Sequence, residues 1–417
     1  MFQSLLNAWR LPDLRKRLLF TAFIIALYRL GSFIPVPGVD LQAIKDLVSG
    51  GGVFAFLDLF SGGALERVAV FALGIMPYIT ASIILQLLTI VIPQLEALAK
   101  EGESGAKKIN QYTRYLTIIL ALVQSVGYVF IFQSQGAFTA ANPLTPLRFY
   151  LIVLSLTVGT GMVMWLGELI TQRGVGNGIS LIIFSSIVAS LPGGLYKMFT
   201  TMNPLMWLAL ALIGLGVIAA IVLMQEGQRR IPIQYAKRVV GRKMYGGQST
   251  YLPLRINMAG VIPVIFASAI LVFPVTLAQM TPWSWAQTAA QAVGPGTGAY
   301  LVAEFMLIVL FTYFYTAVQF NPLDQADNLK KYGGFIPGIR PGRPTAQYLD
   351  RVLTRITLPG ALFLASIAAL PTLLIWGLGI PFFFGGTSLL IVVGVALDTM
   401  KQMESQLLMR HYEGFLK

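Results

Sequence analysis

The stretch "GIMPYITASIILQLL", Gly74 to Leu88, decides the fold class, because it is apolar enough to lie in a membrane and yet contains Pro, Tyr, Thr, Ser and Gln. The whole chain has the same character, since 56% of its 417 residues are hydrophobic and only 11% are charged. A soluble domain has about a quarter charged residues. Uncharged runs long enough to cross a bilayer, roughly 20 residues each, recur along the chain. The sequence predicts an all-α polytopic membrane protein.

Hydropathy, punctuated by Gly and Pro, predicts ten transmembrane helices. The predicted spans cover residues 18–36, 69–92, 113–132, 149–170, 179–192, 205–224, 256–278, 300–320, 353–375 and 382–400. The fifth span is short, and its ends are the least defined. The spans divide into an N-terminal half (18–192) and a C-terminal half (205–400), joined by an outer connection (193–204). Five spans per half would place the halves in inverted orientations, with a functional path between them.

Positive charges predict the orientation of these spans. With the N-terminus inside, the connections after spans 2, 4, 6 and 8 also lie inside. These connections, the N-terminal segment (1–17) and the C-terminal tail (401–417) contain 25 of the 30 Lys and Arg residues, when a residue or two at the helix ends is counted with them. The opposite connections have only Lys45, Arg67, Arg148 and Lys197. Because Lys and Arg accumulate in cytoplasmic loops, both termini are expected in the cytoplasm. The N-terminal segment lacks a small-residue cleavage site and runs into a full span, so we expect it to be retained.

Composition argues against several classes of function. The chain has no Cys and a single His, His411, which argues against disulfides, Cys-based metal sites and serine triads. We expect no enzyme activity, no metal and no cofactor. A secondary transporter would be expected to carry charged residues near the membrane midplane. Arg29, Glu168 and Glu304 instead lie toward span ends, where snorkelling accounts for them.

The polar residues of the opening stretch follow helical spacing. Ile75, Ile79, Ser82 and Gln86 fall within about 60° of one another on an α-helix. In one interpretation, Ser82 and Gln86 form hydrogen bonds to a neighbouring helix and Pro77 kinks the span, both ordinary in membrane bundles. In the other, the stripe faces a water-filled funnel that ends at an apolar constriction. The residues by themselves favour ordinary packing.

A short apolar piece lies between the first two spans. It starts near Val53 in "SGGGVFAFLDLFSGGALERVAVF", Ser49 to Phe71, and is closed by Gly62 and Gly63. About ten apolar residues cannot cross a bilayer, so the piece is re-entrant, interfacial or buried in protein. The residues favour an interfacial helix, although Gly hinges would also suit a piece that lines a cavity.

Two connections predicted on the cytoplasmic side have sequence patterns typical of defined structure rather than of flexible loops. Residues 228–255, "QRRIPIQYAKRVVGRKMYGGQSTYLPLR", have seven positive charges interleaved with Tyr, and a hairpin is expected around "YGGQ". Residues 321–352 contain "GGFIPGIRPG", in which Pro and Gly predict fixed turns. Inside-positive bias alone could explain the charges. The Tyr, Pro and Gly content favours a docking surface for a large partner.

Several long motifs, in order from about Arg15 to the C-terminus, resemble the bacterial SecY family, the main subunit of the Sec protein-conducting channel. They are "FSGGALERVAVFALGIMPYITASIILQLL", "KEGESGAKKINQYTRY", "MWLGELITQRGVGNGISLIIF", "GQRRIPIQYAKRVVGRKMYGGQSTYLPLRINMAGVIP", "NPLDQADNLKKYGGFIPGIRPG" and "PFFFGGTSLLIVVGVALDT". The resemblance implies ten helices in two inverted halves around an hourglass pore. It also implies a channel that passes unfolded secretory chains outward and releases hydrophobic segments sideways into lipid.

The resemblance also implies roles for particular residues. The narrow aliphatic ring of the pore would be Ile75, Ile79, Ile179, Ile183, Ile265 and Ile391. The plug helix, about 53–64, would use Val53, Phe54, Phe56, Leu57, Leu59, Phe60, Gly62 and Gly63. The lateral gate of the channel would lie between spans 2 and 3 on one side and spans 7 and 8 on the other. Its polar residues would be Ser82, Gln86 and Asn257. Because Ile179 falls at the start of span 5, either that span begins earlier or this residue lies below the ring.

The two connections, 228–255 and 321–352, match the docking site that the family uses for the ribosome and for the ATPase SecA. Arg340 matches a position on which the family relies for translocation, and Lys237 lies in the matching stretch of the first connection. The other residues implied there have charge that suits rRNA phosphate, which requires little sequence specificity; they are Arg229, Arg230, Arg238, Arg242 and Lys243. The implied partners are SecE and SecG, SecA, the ribosome with its rRNA, signal sequences, nascent chains and membrane lipids. The implied location is the bacterial plasma (inner) membrane.

The sequence fits two other classes of membrane protein less well. A secondary transporter with inverted repeats would need a convergent charged or polar cluster at the midplane, which the sequence lacks. A scaffold that only docks ribosomes would leave the isoleucines and the short apolar piece without a role.

Overall fold

The computed structural model describes residues 11–49, 52–134, 136–138, 143–201, 203–235, 238–240, 243–245, 249–281, 283–378 and 386–414. The helices are α1 (Pro12–Gly31), α2 (Leu41–Ser49), α3 (Gly52–Ser61), α4 (Met76–Val91), α5 (Pro93–Lys100), α6 (Glu103–Ser134), α7 (Pro146–Arg173), α8 (Gly178–Thr201), α9 (Pro204–Glu226), α10 (Ile262–Met280), α11 (Ser284–Ala292), α12 (Gly298–Gln319), α13 (Pro322–Lys331), α14 (Arg343–Leu378) and α15 (Gly386–Gly414). The strands are β1 (Gln228–Tyr235), β2 (Arg238–Val240), β3 (Lys243–Tyr245), β4 (Ser249–Arg255) and β5 (Gly334–Phe335).

Proline and polar caps set where many of these helices begin. Pro12, Pro93 and Pro146 occupy the first helical positions of α1, α5 and α7, where the missing N–H costs nothing. The Thr145 hydroxyl accepts a hydrogen bond from the Arg148 amide at the start of α7, and the Asn321 side chain accepts one from the Leu323 amide at the start of α13. The helix boundaries therefore follow from local sequence chemistry.

Seven segments within the described residues are long and apolar enough to cross a membrane: α6, α7, α8, α9, α10, α12 with α13, and α14. The number is eight if α4 and α5, which meet at a 100° bend, count as one span. Helices α1 and α15 lie at predicted spans 1 and 10, although neither meets the same criterion. The chain is a multi-pass helical membrane protein, and the count of ten spans stays a prediction.

Several predicted spans differ in extent from the helices observed, and the second and fifth show why. Helix α4 begins at Met76 rather than near Ala69, because the chain forms turns with Gly62, Gly63 and Gly74 in the left-handed region before it. Helix α8 begins at Gly178 and continues through Pro192 to Thr201, so the fifth span is not short. Proline is tolerated inside membrane helices because neighbouring groups satisfy the freed backbone.

The described chain forms two compact units, unit 1 (Met1–Trp207, Ser268–Val302 and Val395–Lys417) and unit 2 (Leu208–Ala267 and Ala303–Gly394). Within unit 1, close packing is made possible by glycines. A Cβ at Gly31 would overlap the Phe71 ring, and one at Gly159 would overlap the Val70 carbonyl. Residues 34–36 and 68–70 are joined by backbone hydrogen bonds. The segment between α3 and α4 is therefore clamped against α1 and α7.

Unit 2 contains the β-structure predicted for the first ordered connection. Strands β1 and β4 pair antiparallel from Gln228 with Arg255 to Gln234 with Ser249, and β2 pairs with β3. Antiparallel pairing in this connection is confirmed, but β3 and β4, the strands on either side of "YGGQ", pair with β2 and β1 rather than with each other, and residues 246–248 lie outside the described residues. Strand β5, from the second connection, adds to the other side of β1, which gives the strand order β4–β1–β5.

A shared hydrophobic core joins the two connections. The buried side chains of this core are Ile231, Leu254, Phe320, Ile336, Leu349 and Leu353. They come from β1, β4, the residue that follows α12, the turn after β5, and α14. We call this body, made of β1, β4, β5, α13 and the first turns of α14, the loop platform. Its core shows that the two connections fold as one piece.

Candidate functional site

The short helix α3 ends in a turn that only glycine forms easily. Gly62 and Gly63 have φ values of 69° and 82°, in the left-handed region. The turn is closed from within, because the Ser61 hydroxyl donates to the Asp58 carbonyl oxygen and the Glu66 amide donates to Asp58 Oδ1. This confirms the prediction that Gly62 and Gly63 close the apolar piece.

Two consecutive residues of α1 bind the end of α3. The Tyr28 hydroxyl donates to the Ser61 carbonyl oxygen at 3.2 Å and lies 2.7 Å from the Ser186 hydroxyl of α8. The Arg29 Nη1 donates to the Gly62 carbonyl oxygen at 3.0 Å. Snorkelling was the predicted account of Arg29, and it is incomplete, because the guanidinium binds a protein carbonyl. The cause is α3 itself, whose terminal carbonyls need donors.

The segments that contain two of the predicted ring isoleucines meet at this same turn. A Cβ on Gly74 would lie 3.5 Å from the Ser61 Cα, and Ile75 follows Gly74 directly. A Cβ on Gly62 would lie 2.9 Å from the Ser186 Cα, and Ile183 precedes Ser186 by less than one helical turn. The end of α3 therefore lies between the chain segments that carry Ile75 and Ile183.

The predicted ring residues are nearly all inaccessible. In unit 1, Ile75, Ile79 and Ile183 are at most 4% exposed, and in unit 2, Ile265 and Ile391 are at most 5% exposed. Ile179 is half-buried in the first turn of α8, with its Cγ1 3.4 Å from where a Gly167 Cβ would stand. Helix α8 begins at Gly178, only one residue before the predicted start, so Ile179 stays at the beginning of the span. The role of these six residues as a ring stays a prediction.

The predicted plug residues occupy α3 and its closing turn. Phe54, Leu57 and Phe60 are buried, and Leu59 is half-buried. Val53 and Phe56 belong to α3, but their side chains lie outside the described residues. Helix α3 does not span the membrane. Burial raises the pKa of the Asp58 carboxyl above its ordinary value, and the hydrogen bond from the Glu66 amide lowers it in part.

A cavity of about 20 Å³ lies within unit 1, between α3, α4, α6 and α10. Its polar lining comes from Thr80, Gln124, Tyr128 and Thr276; its apolar lining comes from Leu57, Leu73, Met76, Ala269, Val272, Phe273 and Met280. Beside it, a Cβ at Gly127 would overlap the Met280 thioether, so α6 and α10 are in close contact there. The structure thus brings predicted spans 2 and 3 against predicted span 7.

Thr80, Gln124 and Thr276 were not among the predicted gate residues. Gln124 had a signal in the sequence, because it is an amide in the middle of a long apolar span. The predicted gate residues lie elsewhere. Ser82 and Gln86 are half-buried on α4, with the Gln86 amide 3.5 Å from the Ser82 hydroxyl. Asn257 lies in unit 2 and donates to the Gly260 carbonyl oxygen at 3.0 Å.

The loop platform presents its predicted basic residues outward. Arg229 and Arg230 on β1 are exposed, and so is Arg340, whose carbonyl oxygen accepts a hydrogen bond from the Thr345 hydroxyl at 2.9 Å. That bond fixes the backbone of Arg340 while its side chain stays accessible. Arg238 and Lys243 belong to β2 and β3, with side chains outside the described part; Lys237 and Arg242 lie wholly outside the described residues.

Glu168 and Glu304, like Arg29, were predicted to snorkel, and Glu168 is paired instead. The Arg114 guanidinium of α6 lies 2.6 Å from the Glu168 carboxylate of α7. The Glu168 side chain is 18% exposed and that of Arg114 is 45% exposed. Glu304 is buried. Among the described residues there is no cluster of His, Asp and Glu that could hold a metal ion.

Comparison with known proteins places this geometry in a family. The family model for SecY matches residues 69–400. A protein translocase subunit SecY from Streptomyces scabiei is 51% identical, with both chains covered in full. Two solved structures share the fold, each over 94% of this chain and 92% of the other. One is described as a SecY protein whose plug domain stabilises the closed state of the translocation channel and maintains a membrane seal (20% identity, TM-score 0.65). The other is Sec61 in a canine ribosome–channel complex (19% identity, TM-score 0.62).

This family consists of protein translocation channels rather than enzymes, and its plug-containing fold is the one seen here. The full-length relative covers the short helix α3 closed by glycines, the helices that surround it and the loop platform, whereas the family model begins at residue 69, after α3. The chain belongs to the SecY family of protein translocase subunits.

Proposed function

We propose that this channel is sealed by the isoleucine ring and by α3 acting as a plug, and that it passes unfolded secretory proteins across the bacterial inner membrane. The ring would consist of Ile75, Ile79, Ile179, Ile183, Ile265 and Ile391, contributed by two inverted halves (18–192 and 205–400). The observation that carries the proposal is the buried end of α3 between the segments that contain Ile75 and Ile183. A ten-residue helix cannot span a bilayer, so its burial in protein suits a stopper.

The physical basis of the seal is the poor wetting of a narrow apolar collar. Branched aliphatic side chains offer water and ions no hydrogen bonds, so a constriction lined by them excludes ions when nothing fills it. The same side chains make no specific contact with a passing chain. A pore built in this way is selective against ions and indifferent to the sequence of its substrate.

Release of hydrophobic segments into lipid would occur between α4 and α6 on one side and α10 and α12 on the other. The cavity lined by Thr80, Gln124 and Thr276 supports this assignment, because it marks imperfect packing where α10 meets α4 and α6. Ser82, Gln86 and Asn257 would face the hydrated path of the substrate. A signal helix that leaves through this gate gains about 25 cal/mol per Å² of apolar surface transferred, so the gate sorts segments by transfer free energy.

The loop platform would dock the partner that drives or feeds translocation. Its common core and its exposed Arg229, Arg230 and Arg340 support one rigid basic surface, suited to the rRNA of a ribosome or to SecA. Lys237, Arg238, Arg242 and Lys243 would extend that surface along the β-ribbon. SecE and SecG would complete the complex within the lipid bilayer, and both termini of the chain would lie in the cytoplasm.

The ring is tested by opening it. Ile79→Gly combined with Ile183→Gly should raise the ion conductance of the resting channel in planar bilayers, because two apolar side chains leave the collar. Ile152→Gly is the matched control, since Ile152 is equally buried, at 0% exposed, on α7 and belongs to no predicted ring position. Equal conductance of the double variant and the unaltered protein would refute the seal.

A further inference from the structure

The end of α3 is held by donors from other helices. The carbonyl oxygens of Ser61, the last residue of α3, and of Gly62, the residue after it, accept from Tyr28 and Arg29, which are consecutive on α1. The Ser186 hydroxyl of α8 lies 2.7 Å from the Tyr28 hydroxyl. The Ser186 hydroxyl also donates to the Ile182 carbonyl oxygen at 3.0 Å, so either hydroxyl of the Tyr28–Ser186 pair can be the donor. One chain of hydrogen bonds thus links α8, α1 and the end of α3.

Each of these groups has a physical reason to be there. The carbonyl end of a helix has partial negative charge, so the Arg29 cation is favourable beside Gly62. The Arg29 guanidinium also lies 5.6 Å from the centre of the Phe33 ring, which supports its position. Tyr28 is fully buried, and its ring is stacked 5.8 Å from that of Phe71, so its hydroxyl is aimed by packing.

We infer that Tyr28 and Arg29 are positioning residues that hold the plug helix α3 in its buried seat, with Ser186 completing the hold from α8. The inference rests on the proposed function, in that α3 is taken as the plug. The bonds to Ser61 and Gly62 are hydrogen bonds rather than deep apolar contacts, so water can replace them when α3 leaves. Hydrogen bonds to charged groups are stronger than neutral ones, so Arg29 contributes more to the hold than Tyr28.

Substitutions at Arg29 and Tyr28 distinguish the effect of the hydrogen bonds to α3 from the effect of side-chain packing. Arg29→Ala removes the cation, and Arg29→Lys keeps the charge with a different donor geometry. Tyr28→Phe removes only the hydroxyl and keeps the ring against Phe71. Arg148→Ala is the matched control, because Arg148 also binds a backbone carbonyl, that of Pro143 at 3.2 Å, at a site away from α3.

Two readouts report the seat of α3 directly. The first is the conductance of the resting channel in planar bilayers. The second uses Ala64→Cys, which places the only thiol of a cysteine-free chain at a position that is 0% exposed beside Gly63. Its rate of reaction with a water-soluble maleimide measures how often the end of α3 is exposed. Both readouts use the full chain in its membrane complex.

We expect Arg29→Ala to raise conductance and labelling rate by about tenfold to about a hundredfold, and Tyr28→Phe by about twofold to about tenfold. Arg29→Lys should fall between Arg29→Ala and the unaltered chain, and Arg148→Ala should change neither readout. If Arg29→Ala fails to assemble, Tyr28→Phe decides the question with the same readouts. Unchanged conductance and labelling in the variants that assemble would overturn the inference.

A deletion of residues 53–60 separates this inference from the proposed function. If the deletion raises conductance but the Arg29 and Tyr28 variants do not, α3 is the plug and these residues do not hold it. If the deletion leaves conductance unchanged while Arg29→Ala raises the labelling of the cysteine at position 64, the hold is real and the proposed seal is wrong.

Discussion

Substitution of Gly62 tests how closely the end of α3 packs against α1 and α8. In Gly62→Ala, the new Cβ would stand 2.5 Å from Arg29 Nη1 and 2.9 Å from the Ser186 Cα. The guanidinium can swing away from it, but the backbone of α8 cannot. The residue also has a φ of 69°, which an L-residue adopts at a cost. Alanine at this position therefore suffers both conformational strain and a steric clash.

The free-energy cost of Gly62→Ala can be estimated by comparison with two other glycines in the left-handed region, Gly136 and Gly63. Gly136 has a φ of 72° and no atom within 4 Å of its virtual Cβ, so Gly136→Ala reports the left-handed cost alone, about 1–2 kcal/mol. Gly63 has a φ of 82°, with only the movable Arg67 guanidinium 3.3 Å from the virtual Cβ, and should resemble Gly136. The clash at Gly62 adds about 1–3 kcal/mol, by analogy with overpacking.

That difference predicts a measurable change in plug exposure. An additional 1–3 kcal/mol corresponds to about a fivefold to about a 150-fold larger population of unseated α3 in Gly62→Ala than in Gly63→Ala. The assay is the labelling of a cysteine at position 64, with planar-bilayer conductance as the independent measurement. Equal labelling rates in Gly62→Ala and Gly63→Ala would refute the reasoning, because the contact with Ser186 would then have no effect on where α3 sits.

Two further predictions concern the loop platform. If the loop platform docks SecA as proposed, Arg340→Glu should abolish SecA-driven export while leaving folding intact, because the side chain is exposed and, among the described residues, only the backbone of Arg340 is hydrogen-bonded. Arg351→Glu, also exposed on α14, is the charge-matched control. Normal export by the Arg340 variant would remove that residue from the proposed docking site. Leu254→Ala should destabilise the platform by about 2–5 kcal/mol, because a side chain that is 0% exposed leaves a cavity; thermal unfolding of the purified complex measures this, and a loss no larger than that of the exposed Tyr251→Ala would contradict it.

The sequence by itself determined the properties that add up residue by residue. Composition defined the membrane class, the spacing of apolar runs located most of the spans, and Gly62 with Gly63 marked the end of the apolar piece. These three predictions agree with the structure because hydropathy and left-handed glycine turns depend on residues that are close together in the sequence. The β-strands of residues 228–255 were predictable for the same reason, since alternation of β-branched and aromatic residues is likewise a local pattern.

Only the tertiary structure decided which groups meet across long separations. The sequence placed Arg29 at a span end and offered snorkelling, but its partner is a carbonyl 33 residues away, and Tyr28 meets Ser186 across 158 residues. The same holds for Gln124, which lines a cavity with Thr80 and Thr276 from two other helices. Hydrogen bonds and cavities depend on how helices pack in three dimensions, and hydropathy along one helix has no information about the face of the next.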